Sequence, residues 1–94
     1  MSFFMTFASG NDMKKDIYPA QIRAARALID WTREDLAVAS GVTVRTLARL
    51  ESAQTIARQT TLTALSTALE TAGVEFIPEN GSGPGVRLAN KISR

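Results

Sequence analysis

A chain of 94 residues supports one small domain and not two, and burial at this size leaves stability marginal. Hydrophobic residues make up 45% and charged residues 21%, the balance of an ordinary soluble globular chain, which argues against overall disorder or a fibrous structure. With no cysteine and no histidine the chain lacks disulfides, a thiolate zinc site, the commonest metal ligand and the commonest general base, so no enzyme, cofactor or metal is expected.

The net charge of +2 is unevenly placed. Lys14 to Arg58 holds eight basic and five acidic residues, whereas Gln59 to Arg94 holds three of each. A surplus of three cations by itself fits a solvated helical surface as well as a contact with an acidic partner.

The opening MSFFMTFASG is apolar but has no basic leader and breaks at Ser9 and Gly10, so it does not read as a signal peptide. No run reaches membrane-spanning length, and a cytoplasmic protein is expected. Residues 1–17 show no sustained period and contain the turn cluster Ser9-Gly10-Asn11-Asp12, which predicts a mobile arm, with Met13 as an alternative start. Pro19 suits the first turn of a helix running to about Ile29, with Ile22, Ala25, Leu28 and Ile29 on its apolar side and Asp16 as a candidate near its start. Thr32 predicts the N-cap of a second helix from Arg33 to about Ala39, and Glu34 and Asp35 favour its dipole. Beyond that capping role, Asp30, Glu34 and Asp35 have neither metal-ligand nor acid-base logic.

Thr43 predicts the cap of a third helix, Val44 to about Glu51. Ser52 to Gln59 is polar and aperiodic and reads as a loop. A fourth helix follows from about Thr60 to Ala72, with Leu62, Leu65, Ala68 and Leu69 at helical spacing and Gly73 as its C-terminal cap. Val74 to Ile77 is a short β-like run stopped by Pro78; Val86 to Leu88 predicts a second strand, and Asn90 to Arg94 a frayed end.

The most informative stretch is REDLAVASGVTVRTLARL, Arg33 to Leu50. Two helices that cross steeply through a short turn need a residue tolerant of a left-handed backbone, which Gly41 supplies. Ala37, one turn earlier, is small enough for close approach. Leu36, Val42, Leu47 and Leu50 fall where they can share one buried seam.

With IRAAR in the first helix, WTREDLA in the second, SGVT at the turn and VRTLARLE in the third, the chain resembles the Cro and phage-repressor type of helix-turn-helix regulators, the xenobiotic-response-element family. The likeness covers about Ile22 to Gly73. It implies an all-α, compact domain of four or five helices spanning residues 18–73, preceded by the arm and followed by a short hairpin-like appendage, residues 74–94. It implies equally that the third helix enters the major groove of double-stranded DNA while the second crosses the backbone.

Carried over by position, the resemblance places Thr43, Val44, Arg45 and Arg49 against base edges, with Thr46 close enough to assist. Arginine can donate two hydrogen bonds to guanine O6 and N7, and Val44 can meet a thymine methyl. Thr32 and Arg33 match phosphate-gripping positions at a helix start, Ser52 follows the reading helix, and Arg58 lies in the next loop, where a phosphate contact is expected. Arg26 and Glu51 match a partly buried ion pair that braces the reading helix.

Two positions depart from the family pattern. Arg33 stands where glutamine is common, which changes reach and bonding, and Ser52-Ala53 stands where many relatives have glycine, so the loop after the third helix is open to another conformation.

One such domain reads few base pairs, so the resemblance implies a homodimer on an inverted repeat with half-sites about 34 Å apart. Val74, Phe76, Ile77, Val86 and Leu88 make the appendage a candidate dimer contact; a hairpin folded over the first or fourth helix explains the same residues equally well. The expected function is transcriptional regulation, as a repressor or autoregulator. The alternative is the antitoxin of a toxin-antitoxin pair, binding DNA and a partner protein through one of the terminal segments.

Overall fold

The computed structural model describes residues 17–54 and 56–89. Among them stand four helices, α1 (Pro19–Leu28), α2 (Arg33–Ser40), α3 (Val44–Glu51) and α4 (Gln59–Thr71), followed by two strands, β1 (Val74–Ile77) and β2 (Gly85–Leu88). The arm before Ile17, with Asp16, and the frayed end after Ala89 lie outside the described residues. Ile17 itself, expected in the arm, is buried in the core and so belongs to the packed domain.

Local chemistry accounts for the helix limits. Pro19 opens α1 with its φ already helical and no N–H to satisfy, and the Gln21 side chain turns back to accept from the Tyr18 N–H at 2.8 Å. Asp30, at φ 58°, reverses the chain after α1, and the Trp31 N–H closes on the Arg26 carbonyl at 2.9 Å. In α2 the reciprocal capping box is complete: Thr32 Oγ1 accepts from the Asp35 N–H at 3.0 Å, and Asp35 Oδ2 accepts from the Thr32 N–H at 2.9 Å. Gly41 is left-handed at φ 80° and donates to the Ala37 carbonyl, and Thr43 Oγ1 accepts from the Thr46 N–H at 3.1 Å to start α3. α4 begins and ends one residue earlier than its period suggests, with Gly73 at φ 107° just beyond it.

The core draws on every helix. Ile22 and Ala25 of α1, Leu36 of α2, Leu47 and Leu50 of α3, and Leu65 and Leu69 of α4 are enclosed together with Ile17 and Val74. Of the seam expected around the turn, Leu36, Leu47 and Leu50 are fully buried, while Ala37 and Val42 are only half-buried. They flank the turn, where the two short helices diverge toward solvent. Leu28, at the end of α1, is exposed, and Ile29 takes its place against the core.

The all-α expectation needs correction, because the appendage is an antiparallel sheet in which Val74 faces Leu88 and Phe76 faces Val86. It packs over both α1 and α4. Phe76 and Val86 pack against the core from one face of the hairpin, and the opposite face carries Glu75 and Arg87. A buried polar side chain docks it: Gln21 Nε2 donates to the Gly85 carbonyl at 3.0 Å and to the Ile77 carbonyl at 3.4 Å. Among the described residues no helix is long and apolar enough to cross a membrane.

Candidate nucleic-acid interface

α3 has two unlike faces because its apolar residues recur three apart, which buries Leu47 and Leu50 together and leaves the intervening positions outside. Thr43, Arg45, Thr46 and Arg49 are exposed, and Val44 is half-buried at the helix start. Arg45 and Arg49, four apart, lie on one side of the helix, and no described carboxylate pairs with either. The Thr43 hydroxyl is committed within the cap, since it also donates to Thr46 Oγ1 at 3.0 Å.

The residues matched to phosphate positions are more varied. Thr32 is exposed, but Asp35 brings a carboxylate to the same helix start, so the partial positive charge there is already met by an anion. Ser52 Oγ donates to the Ala48 carbonyl at 2.9 Å and serves the end of α3. Arg58 is exposed at the N-cap of α4 and makes no side-chain capping bond. Ala53 adopts φ 57°, so the loop after α3 takes the left-handed turn a glycine would favour, with a methyl group added.

Glu51 is the centre of the fold's electrostatics. Its side chain is 0% exposed, and Arg26, 18% exposed, meets it with two parallel bonds, Nε to Oε2 at 2.8 Å and Nη2 to Oε1 at 2.9 Å. Arg26 Nη1 also donates to the Trp31 carbonyl at 2.9 Å. Arg33, 40% exposed, adds Nε to Glu51 Oε1 at 3.0 Å, and Arg23 Nη1 donates to the Glu51 main-chain carbonyl. Three guanidinium groups from α1 and α2 thus converge on the last residue of α3. Burial alone would push the Glu51 carboxyl up, but the hydrogen bonds and charges of Arg26 and Arg33 outweigh it and hold the group below the usual carboxylate range. Arg26 is raised in turn, chiefly through its bond to Glu51.

Sequence reasoning paired Arg26 with Glu51 but passed over Arg23 and the second bond from Arg33. Arg23 lies three residues before Arg26 on the same helix and so on a neighbouring face, a spacing that could have pointed to it. Arg33 carried no such signal, because the resemblance that matched Arg26 to Glu51 matched Arg33 to a phosphate position.

Among the described residues no group of three or more acidic side chains stands close enough to hold a metal ion. No curated protein sequence matches the chain. A helix-turn-helix family model matches residues 22–76, which run from within α1 through α2, α3 and α4 to the third residue of β1. The match takes in the Arg26–Glu51 contact, the Gly41 turn and the exposed side of α3, and with them the chain belongs to the helix-turn-helix family of Cro/C1-type, DNA-binding transcriptional regulators.

Proposed function

We propose that the protein is a sequence-specific repressor or autoregulator that binds a promoter-proximal inverted repeat as a homodimer. The observation that carries this reading is the exposed side of α3, where Arg45 and Arg49 stand without a described carboxylate partner while the opposite side is locked into the core. A cation free of an internal partner can form a bidentate contact with guanine without first breaking an ion pair. Arg45, in the first turn of α3, is the principal base reader; Arg49, one turn on, is the second, and Thr43, Val44 and Thr46 shape the fit around them. Arg58 and the outer nitrogens of Arg33 supply phosphate contacts, with lesser roles for Thr32 and Ser52, whose hydroxyls already serve helix ends.

Selection of bound sequences from random duplexes, followed by salt titration, tests the proposal. An inverted repeat with affinity falling steeply as salt rises is expected. Arg45→Ala relaxes one base position and costs about 1–3 kcal/mol, whereas Arg58→Ala weakens all sequences alike and lowers the salt slope by about one. Weak, uniform binding to every duplex would overturn the reading.

A further inference from the structure

The hairpin is closed by a loop that runs free of its ladder. β1 and β2 pair as far as Ile77 and Gly85, and the intervening residues 78–84, PENGSGP, belong to neither strand. In a two-residue Asn-Gly turn the pairing on both sides holds the dipeptide rigid. Here Asn80 and Gly81 lie in the middle of the longer loop. Among the described residues the loop's main chain makes one hydrogen bond, from the Asn80 N–H to the Ser82 carbonyl at 3.3 Å.

Glu79, Asn80, Gly81, Ser82 and Gly83 are all exposed, and neither the Asn80 side-chain amide nor the Gly81 N–H has a partner among the described residues. Gly81 sits at φ 100° with open space where a Cβ would stand. The main-chain nitrogen that follows an asparagine can attack the side-chain amide carbon. A side chain on the following residue, a hydrogen bond to its N–H and a rigid backbone each oppose that approach, and position 81 has none of them. The other two asparagines, Asn11 and Asn90, are followed by Asp12 and Lys91, whose side chains crowd the attacking nitrogen.

We infer that Asn80-Gly81 is a site of spontaneous covalent modification, at which the folded protein converts asparagine to aspartate and isoaspartate. The Gly81 nitrogen loses its proton to solvent base and bonds to Asn80 Cγ, while the Cγ–Nδ2 bond breaks and Nδ2 leaves as ammonia. A five-membered imide remains. Water then opens it at Cγ, which gives aspartate on an unaltered main chain, or at the Asn80 main-chain carbonyl carbon, which gives isoaspartate with the chain running through the former side chain. Ammonia leaves and water enters, so the conversion needs no oxidant, metal or enzyme. Either product sets a new carboxylate beside Glu79 in a loop without a basic residue, and the net charge falls from +2 to +1. The groups that dock the hairpin lie outside the loop: Phe76 and Val86 pack on the core, and Gln21 holds the Ile77 and Gly85 carbonyls. The modified chain therefore keeps its fold.

The test is incubation of the full chain at mildly alkaline pH, with and without denaturant, followed by tryptic peptide mapping with mass spectrometry. Trypsin releases Gln59–Arg87, in which Asn80 is the single asparagine, while Asn11 and Asn90 fall in other peptides. The Gln59–Arg87 peptide is expected to give way to two separable products, each carrying OH in place of NH2. Because the loop opens at almost no cost, the folded chain should react within about tenfold of the rate of the unfolded one. Gly81→Ala should slow the conversion about tenfold, since a methyl group then stands beside the attacking nitrogen. Asn80→Gln should abolish it, because closure would require a six-membered ring. The melting curve of the aged wild type should match that of the fresh protein. A folded chain that stays intact while the unfolded chain reacts, equal conversion at Asn11 or Asn90, or an aged protein that melts earlier would each overturn the inference. The comparison of folded with unfolded wild type decides even where a variant fails to fold, and no readout involves DNA.

Discussion

Two arginine–glutamate pairs in this protein share nearly the same geometry and differ in almost everything else. Arg26 and Glu51 meet through two bonds of 2.8 and 2.9 Å, and Arg87 and Glu75 through two of 3.0 and 3.1 Å. The first carboxylate is sealed at 0% exposure between three helices; the side chains of the second pair are 46% and 64% exposed on the hairpin. A buried carboxylate has lost its water, so each guanidinium replaces solvation it cannot otherwise recover, whereas the surface pair exchanges one hydrated partner for another. Bond length does not rank ion pairs; the cost of separating them does. The sealed pair also joins distant parts of the chain, tying α1 to the end of the helix that presents Arg45 and Arg49, and Arg33 adds α2 to the same carboxylate.

The sharpest way to break this comparison is Glu51→Gln, which keeps the shape and removes the charge. It is expected to cost about 3 kcal/mol in stability, read by chemical denaturation, because the arginines lose their anion and a neutral amide cannot accept from them equally well. An unchanged denaturation midpoint would put the two pairs in one class. The next effect is the pH profile. The folded carboxyl lies below its ordinary value of 4.5, so its stabilisation is fully present above that value and is lost as pH falls through the folded one. The gap between wild type and Glu51→Gln should therefore narrow on acidification; a gap constant down to strongly acidic pH would contradict the assignment.

A smaller effect belongs to Arg33→Met, which keeps the aliphatic stem and deletes the second guanidinium. Solvent screens a side chain 40% exposed, so about 1 kcal/mol is expected by the same denaturation assay. A loss equal to that of Glu51→Gln would make Arg33, and not Arg26, the main support. The smallest effect falls on the hairpin: Glu75→Gln should leave the thermal midpoint unchanged and insensitive to added salt, and a clear drop would show that the exposed pair holds β1 to β2.

Much of the fold was legible because the signals are local. Thr32 with Asp35, Gly41 and Thr43 each act within four residues, and the periods of α1, α3 and α4 state which side turns inward. The exposed side of α3 was readable for the same reason, once Leu47 and Leu50 were placed in the core. What stayed hidden depends on contacts between segments far apart in the chain. Gln21 reads as an ordinary polar residue of a helix, yet it is buried and holds the hairpin by two carbonyls more than 50 residues away. Ala53, standing where many relatives have glycine, still adopts a left-handed backbone, which nothing in an alanine's own chemistry favours.

The sequence by itself determined the caps, the turn, the division of α3 into a buried and an exposed side, and so the helix-turn-helix unit, since each rests on bonding and periodicity within a few residues. Only the tertiary structure decided that Arg23, Arg26 and Arg33 share Glu51, that the hairpin lies over α1 and α4, and that β2 keeps an open edge. Burial and pairing across the fold depend on how helices cross, and that is set by the whole core together.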